Sequence, residues 1–268
     1  MKKKHTAQSV FFNLCILLGS LIFFAGVVLA VFAATDPQSF ARDVTRNRNA
    51  QVPRADRGPT TPSGAVQEAW VARYNGPTNE YDEGQAIAVD ASGNVYVTGY
   101  SGDDYVTIKY DTSGQEQWVA RYNGGSARAI AVDSSGNVYV TGQRVLSGGS
   151  LDYATIKYDS AGQQQWVARY NGPASDYDSA SSIVVDSSGN VYVTGESLGL
   201  GTGLDYATIK YNSAGQQQWV ARYNGLGNGD DYAAYAGAIV LDGSGNVYVT
   251  GGSAGSRTSD DYATIKYN

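Results

Sequence analysis

The chain of 268 residues has one cysteine, Cys15, and one histidine, His5, both close to its N-terminus. Everything after Cys15 therefore has neither thiol nor imidazole to offer. That removes a cysteine or histidine nucleophile, a Ser-His-Asp triad, a Cys/His zinc site and internal disulfides from the rest of the protein. Proline is scarce at 6 residues and charged residues make up only 16 %. Long apolar runs are almost absent too, with a single exception.

That exception is Val10 to Ala34, preceded by Lys2, Lys3 and Lys4. A positive start followed by an apolar stretch reads either as a cleaved export signal or as a retained transmembrane anchor. Val31, Ala33 and Ala34 offer small residues at suitable spacing for cleavage, whereas the length of the run suits a bilayer span. Leu14-Cys15 lacks the small residue that lipoprotein processing wants. Residues 1–34 are thus a signal peptide or membrane anchor, 35–64 a polar linker rich in Arg, Asn and Pro, and 65–268 the folded domain. A secreted or cell-surface location follows, with contact to the membrane only through the N-terminal segment.

What the chain does contain is glycine, at 33 residues, and tyrosine, at 21. Both come in a repeat. Trp-Val-Ala-Arg-Tyr-Asn-Gly starts at Trp70, Trp118, Trp166 and Trp219; Gly-Asn-Val-Tyr-Val-Thr-Gly starts at Gly93, Gly136, Gly189 and Gly245; Asp-Tyr-x-Thr-Ile-Lys-Tyr starts at Asp104, Asp152, Asp205 and Asp261. Short strands recurring at such a period predict the blades of an all-β propeller. In the first full repeat the strands are Ala86–Val89, Asn94–Thr98, Tyr105–Tyr110 and Trp118–Tyr122. Alternation puts Val106, Ile108 and Tyr110 on one face, and Trp118, Ala120 and Tyr122 on another.

The unit Ala-Val-Asp-x-Ser-Gly-Asn-Val-Tyr-Val-Thr-Gly, at Ala88–Gly99 and Ala131–Gly142, resembles the SBBP family of bacterial and archaeal β-propeller repeats. The resemblance runs from Trp70 to Asn268 and implies a propeller at the cell surface. It carries no defined catalytic residues. Two departures stand out: Asp-Tyr replaces the Asp-Phe-Pro common after Thr-Gly, and four copies stand where the family is named for seven blades.

The phase of the repeat makes a further prediction. The array opens on an isolated outer strand, Trp70–Tyr74, and ends on a third strand. Four four-stranded blades result if Trp70–Tyr74 closes the ring by pairing with Tyr262–Tyr267, within one chain or across a ring-completing dimer; the alternative is a fragment of a larger propeller.

In a four-stranded meander, the connection into the innermost strand and the one joining the second and third strands emerge on one face. Here these connections are the variable ones, at Gly76–Gln85, Gly124–Arg128, Gly172–Ser181 and Gly225–Ala236 and in the segments ending at Asp104, Asp152, Asp205 and Asp261. From Ala65 onward there are 22 acidic and 11 basic residues. The variable segments hold 14 of the acids against Arg128, Arg144 and Arg257, so this face is expected to be acidic, repelling nucleic acid and attracting cations or basic partners.

Some acids repeat too regularly to be specific. Asp90, Asp133, Asp186 and Asp242 each begin a tight turn, and Asp104, Asp152, Asp205 and Asp261 precede the third strand, with Lys109 and Arg121 and their counterparts as candidate partners. The ligand-binding candidates are the less repetitive clusters Tyr81-Asp82-Glu83, Asp176-Tyr177-Asp178 and Asp230-Asp231-Tyr232 with Tyr235. They suit a glycan, a peptide or a basic protein surface. No cofactor is expected. No Asp-x-Asp-x-Asp-Gly loop is present, so calcium would need a site assembled between loops. The composition favours a binding or scaffold module, with a polysaccharide-acting hydrolase or lyase using loop carboxylates, or a plain structural spacer, as alternatives.

Overall fold

In the computed structural model, residues 66–233 and 238–268 are described. They fold as an all-β array of four antiparallel, four-stranded sheets. Blade 1 is β1 (Asp82–Val89), β2 (Val95–Ser101), β3 (Asp104–Tyr110) and β4 (Glu116–Tyr122). Blade 2 is β5 (Gly125–Val132), β6 (Val138–Val145), β7 (Leu151–Tyr158) and β8 (Gln164–Tyr170). Blade 3 is β9 (Asp178–Val185), β10 (Val191–Leu198), β11 (Leu204–Tyr211) and β12 (Gln217–Tyr223). Blade 4 is β13 (Asp231–Ala233), β14 (Ile239–Leu241), β15 (Val247–Ala254) and β16 (Asp260–Tyr267). Both β13 and β14 pair with β15, so together they fill the innermost place, and β16 lies on the other side of β15.

The repeated Asp-x-Ser-Gly-Asn explains the turn between the first two strands. In blade 1 the Asp90 carboxylate accepts from the amides of Ser92 and Asn94, from the Asn94 side chain and from the Tyr96 hydroxyl. Asp133, Asp186 and Asp242 accept the same set in their own blades. Each carboxylate thus satisfies amides that the turn would leave unpaired. These four acids hold the fold.

Every blade has two unlike faces, and burying one against the other builds the core. In the contact between blades 1 and 2, Tyr96, Tyr105, Ala120 and Trp118 pack on Val138, Val140, Ile156 and Tyr158. The same pattern joins blade 2 to blade 3 through Tyr139, Tyr153 and Trp166, and blade 3 to blade 4 through Tyr192, Tyr206 and Trp219. In blades 1, 2 and 3 a buried threonine pair, such as Thr141–Thr155, satisfies its hydroxyls mutually, and in blades 1 and 2 also on a backbone carbonyl. Lysines of the third strands lie over tyrosine rings, with Lys109 Nζ 5.3 Å from the Tyr96 centroid.

Trp70–Tyr74 does not take part in any ladder. It lies on the free face of blade 1, where Ala72 and Tyr74 pack on Val106, Ile108 and Tyr110. Among the described residues, no pairing joins this segment to β16, and Tyr262 on β16 is 98 % exposed. The inner strands also run further than the alternation predicts. β1 begins at Asp82 and β2 ends at Ser101, because Gly84 and Gly99, which read as loop, pair with each other. The expected signal or anchor at residues 1–34 and the linker at 35–64 lie outside the described residues. Among the described residues no helix is long and apolar enough to cross a membrane.

Candidate binding site at the bulged ends of the inner strands

The innermost strands of blades 1, 2 and 3 each carry a bulge near the same end. The register of β1 shifts between Gly84 and Ala86, that of β5 between Ala127 and Ala129, and the pairing of β9 skips Ser181. Gln85, Arg128 and Ser181 are the residues left unpaired. A bulge bends its strand and re-aims a side chain. The glycine of each Thr-Gly motif makes room for it: a Cβ on Gly142 would lie 2.1 Å from the Ser126 carbonyl oxygen.

Beyond the bulge, facing residues of the first two strands form polar pairs in three blades, Glu83 with Tyr100, Ser126 with Gln143 and Ser179 with Glu196, while in blade 4 Tyr232 faces Gly252. On blade 1 the hydroxyls of Tyr81 and Tyr100 both donate to Glu83 Oε2 at 2.9 Å. These bonds, Tyr100 first, hold the Glu83 carboxyl below its ordinary range. On blade 3 the Tyr177 hydroxyl donates to Glu196 Oε1 at 2.9 Å. Burial pushes the Glu196 carboxyl up and drives Tyr177 up to about 12, helped there by the bond to Glu196. On blade 4 the Tyr232 hydroxyl donates to Asp230 Oδ2 at 3.0 Å.

Blade 2 breaks this pattern of tyrosine and carboxylate. There Arg128 donates from Nη2 to Gln143 Oε1 at 3.1 Å, and the same oxygen accepts from the Ser179 hydroxyl of blade 3. The Arg128 Nε–H is buried without a partner. A cleft between blades 1 and 2 is lined by Gln85, Tyr100, Asp103, Arg128 and Gln143. It places one guanidinium beside hydroxyls, amides and a carboxylate, with Val145 at its edge.

The candidate residues fall into two groups. Tyr81, Glu83, Asp176, Asp230 and Tyr232 are exposed, and Tyr177 is half-buried. Asp82, Asp178 and Asp231 instead close their own loops, their carboxylates accepting from the amides of Gly76, Gly172 and Gly225. Asp178 and Asp231 are buried, and the position six residues after a loop-opening glycine explains why. Tyr235 lies outside the described residues.

The acidity of this face is also narrower than the count of acids implies. Asp152, Asp178, Asp205 and Asp231 are buried, and Asp82, Asp104 and Glu196 are half-buried. Glu80, Glu83, Asp103, Asp176, Asp230, Asp260 and Asp261 remain exposed. Arginine partners are found for two of the acids before the third strand: Arg121 with Asp104 at 3.2 Å and Arg222 with Asp205 at 2.7 Å. The lysines take the tyrosine rings instead.

Tyr100, Gln143 and Glu196 were not among the candidates, nor were the bulge residues Gln85, Arg128 and Ser181. A signal for the first three exists in the repeat itself. The position after Thr-Gly is Tyr100, Gln143, Glu196 and Gly252 in the four blades, varied where its neighbours are constant. No such signal marks the bulges, since an extra residue in one strand is invisible without its partner.

Among the described residues, no group of three or more His, Cys, Asp or Glu side chains is placed to hold a metal ion. The family model for the SBBP β-propeller repeat matches residues 69–105, 117–143 and 165–201. No curated protein matches. Among solved structures, the chain is similar to a luciferin-regenerating enzyme at 13 % identity and a TM-score of 0.40, over 68 % of this chain and 60 % of that one. The three matched segments fall in the first three Trp-to-Gly repeats, and each contributes strands to four-stranded sheets of one design. These three segments of the chain are SBBP-type β-propeller repeats.

Proposed function

We propose that this is an exported, cell-surface propeller that serves as a binding or scaffold module, and that its ligand meets the bulged ends of the inner strands. One observation carries the reading: tyrosine hydroxyls are held on carboxylates at this end of blades 1, 3 and 4. Rings fixed in this way offer flat apolar area with little entropy to lose, beside acceptors that suit sugar hydroxyls or the cationic groups of a peptide or basic protein surface. The frame beneath them is rigid and the residues above it differ from blade to blade, as a specific site requires.

The purified chain is to be screened on glycan and peptide arrays, with and without calcium, and hits measured by calorimetry. Glu83→Gln combined with Glu196→Gln should weaken a genuine hit by about tenfold or more, since each substitution removes a charge-assisted acceptor worth about 1.5–3 kcal/mol. Affinity unchanged by both substitutions would place the ligand elsewhere. The hydrolase or lyase alternative draws on the opposite environments of two carboxyls, Glu196 pushed up by burial and Glu83 held down by tyrosines. Product release from a bound polysaccharide, abolished by Glu196→Gln with binding retained, would favour it over the binding module.

A further inference from the structure

The three contacts between successive blades repeat one geometry. Trp118 lies 6.3 Å from Tyr158, Trp166 6.4 Å from Tyr211, and Trp219 6.0 Å from Tyr267. The arginine of each outer strand reaches back to a tyrosine hydroxyl of the preceding one, Arg169 to Tyr122 and Arg222 to Tyr170. Trp70–Tyr74 obeys the same rules, although among the described residues no blade stands behind it. Trp70 lies 6.3 Å from Tyr110, and Arg121 donates to the Tyr74 hydroxyl at 3.0 Å. The segment therefore sits on blade 1 as the outer strand of a preceding blade would sit.

Among the described residues, nothing else occupies the place of that preceding blade. Ile87 on β1 is 67 % exposed, although its counterparts Ile183 and Ile239 are 9 % and 4 % exposed, and Val89 is 61 % exposed where Val132, Val185 and Leu241 are half-buried. The result is an apolar groove floored by Val95, Val97, Val106 and Ile108 and walled on one side by Trp70 and Ala72. At the other end of the array, blade 4 presents the complementary tyrosine face. Tyr262 is 98 % exposed where Tyr105, Tyr153 and Tyr206 are buried, and the edge of β16 has no strand beside it among the described residues.

We propose that the groove of blade 1 receives blade 4 of a second copy, and that Trp70–Tyr74 becomes the outer strand of that copy's fourth blade. The occupant is specified by the chain itself. Three times within the chain a face like that of blade 1 is covered by a tyrosine face with a Trp-Val-Ala-Arg-Tyr outer strand. The groove already holds such a strand and lacks only the face. Reciprocal docking of two copies pairs the exposed edge of each β16 with Trp70–Tyr74 of the other, the arrangement of a symmetric dimer.

The register follows from blade 1, where Tyr105, Val106, Thr107, Ile108 and Lys109 face Tyr122, Arg121, Ala120, Val119 and Trp118. By the same pairing Tyr262, Ala263, Thr264, Ile265 and Lys266 of one copy face Tyr74, Arg73, Ala72, Val71 and Trp70 of the other. Arg73 then meets Asp261 as Arg121 meets Asp104. Tyr262 donates to the Val106 carbonyl as Tyr105 donates to that of Ala154 and Tyr153 to that of Ala207.

The test uses the full chain in a mild detergent, sized by light scattering with the detergent mass subtracted. Twice the 28.4 kDa of one chain is expected, and Val71→Pro should halve it while leaving the circular-dichroism spectrum unchanged, because Val71 belongs to no ladder within its own chain. In a Cys15→Ser background, copies carrying Val71→Cys mixed with copies carrying Ile265→Cys should form a disulfide-linked dimer on mild oxidation. A monomer at every concentration, or a dimer that survives Val71→Pro, overturns the proposal. So does failure of the mixed copies to cross-link, or a disulfide formed inside one chain that carries both substitutions.

Discussion

At the scale of single residues, the clearest result is how far carboxylates have been committed to turns. Asp242 is the strongest case: the Asn246 side chain, then the Asn246 and Ser244 amides, bring its carboxyl down to about 2. At Asp133 and Asp186 burial pushes the other way, yet the same hydrogen bonds outweigh it and the net shift is downward. A carboxyl depressed in the folded state adds stability that is fully present above its unfolded value, near 3.9. That stability is lost as the pH falls through the folded value. Denaturant titrations of the wild type and of Asp242→Ala should therefore differ at pH 6, with the variant less stable. The difference should shrink between about pH 4 and pH 2 and vanish below it, where the wild-type carboxyl is also protonated. A difference that is the same at pH 6 and below pH 2 would mean that the side chain acts by shape and not by charge.

At the scale of strands and turns, the tryptophans act as latches between blades. The Trp118 ring lies against Gly162 in the turn of the next blade and its indole N–H donates to the Ser160 carbonyl at 3.2 Å. Trp166 meets Gly215 and Ser213 in the same manner. Gly162 has φ +79°, and a Cβ there would fall 2.7 Å from the Trp118 ring. Gly162→Ala should cost about 1–3 kcal/mol for the left-handed conformation alone, with the displaced ring adding to it. Chemical unfolding followed by Trp fluorescence checks this, and an unperturbed midpoint would show that the latch is dispensable. The repeat order, the strand faces and these turns were all legible in the sequence, because alternation and Asp-Gly turn chemistry act over a few neighbouring residues. The site was only half legible. Tyr81, Glu83, Tyr177, Asp230 and Tyr232 could be found as unrepetitive residues on a variable face, but the separation of Glu83 from Asp82 depends on which side of β1 each occupies. The roles of Tyr100, Gln143 and Glu196 depend on cross-strand partners set by a bulge, and no local pattern announces one.

At the scale of the whole molecule, blades joined only to their neighbours behave as a nearly one-dimensional array, so stability is set by each blade's own sheet plus the contacts on its two sides. Blades 2 and 3 have both faces covered. Blade 1 has one face covered by a neighbour and the other by Trp70–Tyr74 alone. Among the described residues, blade 4 is the least covered: one face packs on a neighbour, and most residues of β16 are exposed. The Val71→Pro chain isolates this intrinsic gradient, because it is the form expected to stand alone. Hydrogen exchange on that variant should find the amides of β6, β7, β10 and β11 most protected and those of β13 and β16 least, with blade 1 between them, since local opening starts where the fewest contacts must break. In the wild type the same measurement should raise protection along β16, whose outer edge gains a strand, and along β1, whose exposed face is covered. Equal protection in all four blades of the variant would show that the array folds as one cooperative unit, and that contacts with neighbouring blades do not govern its local stability.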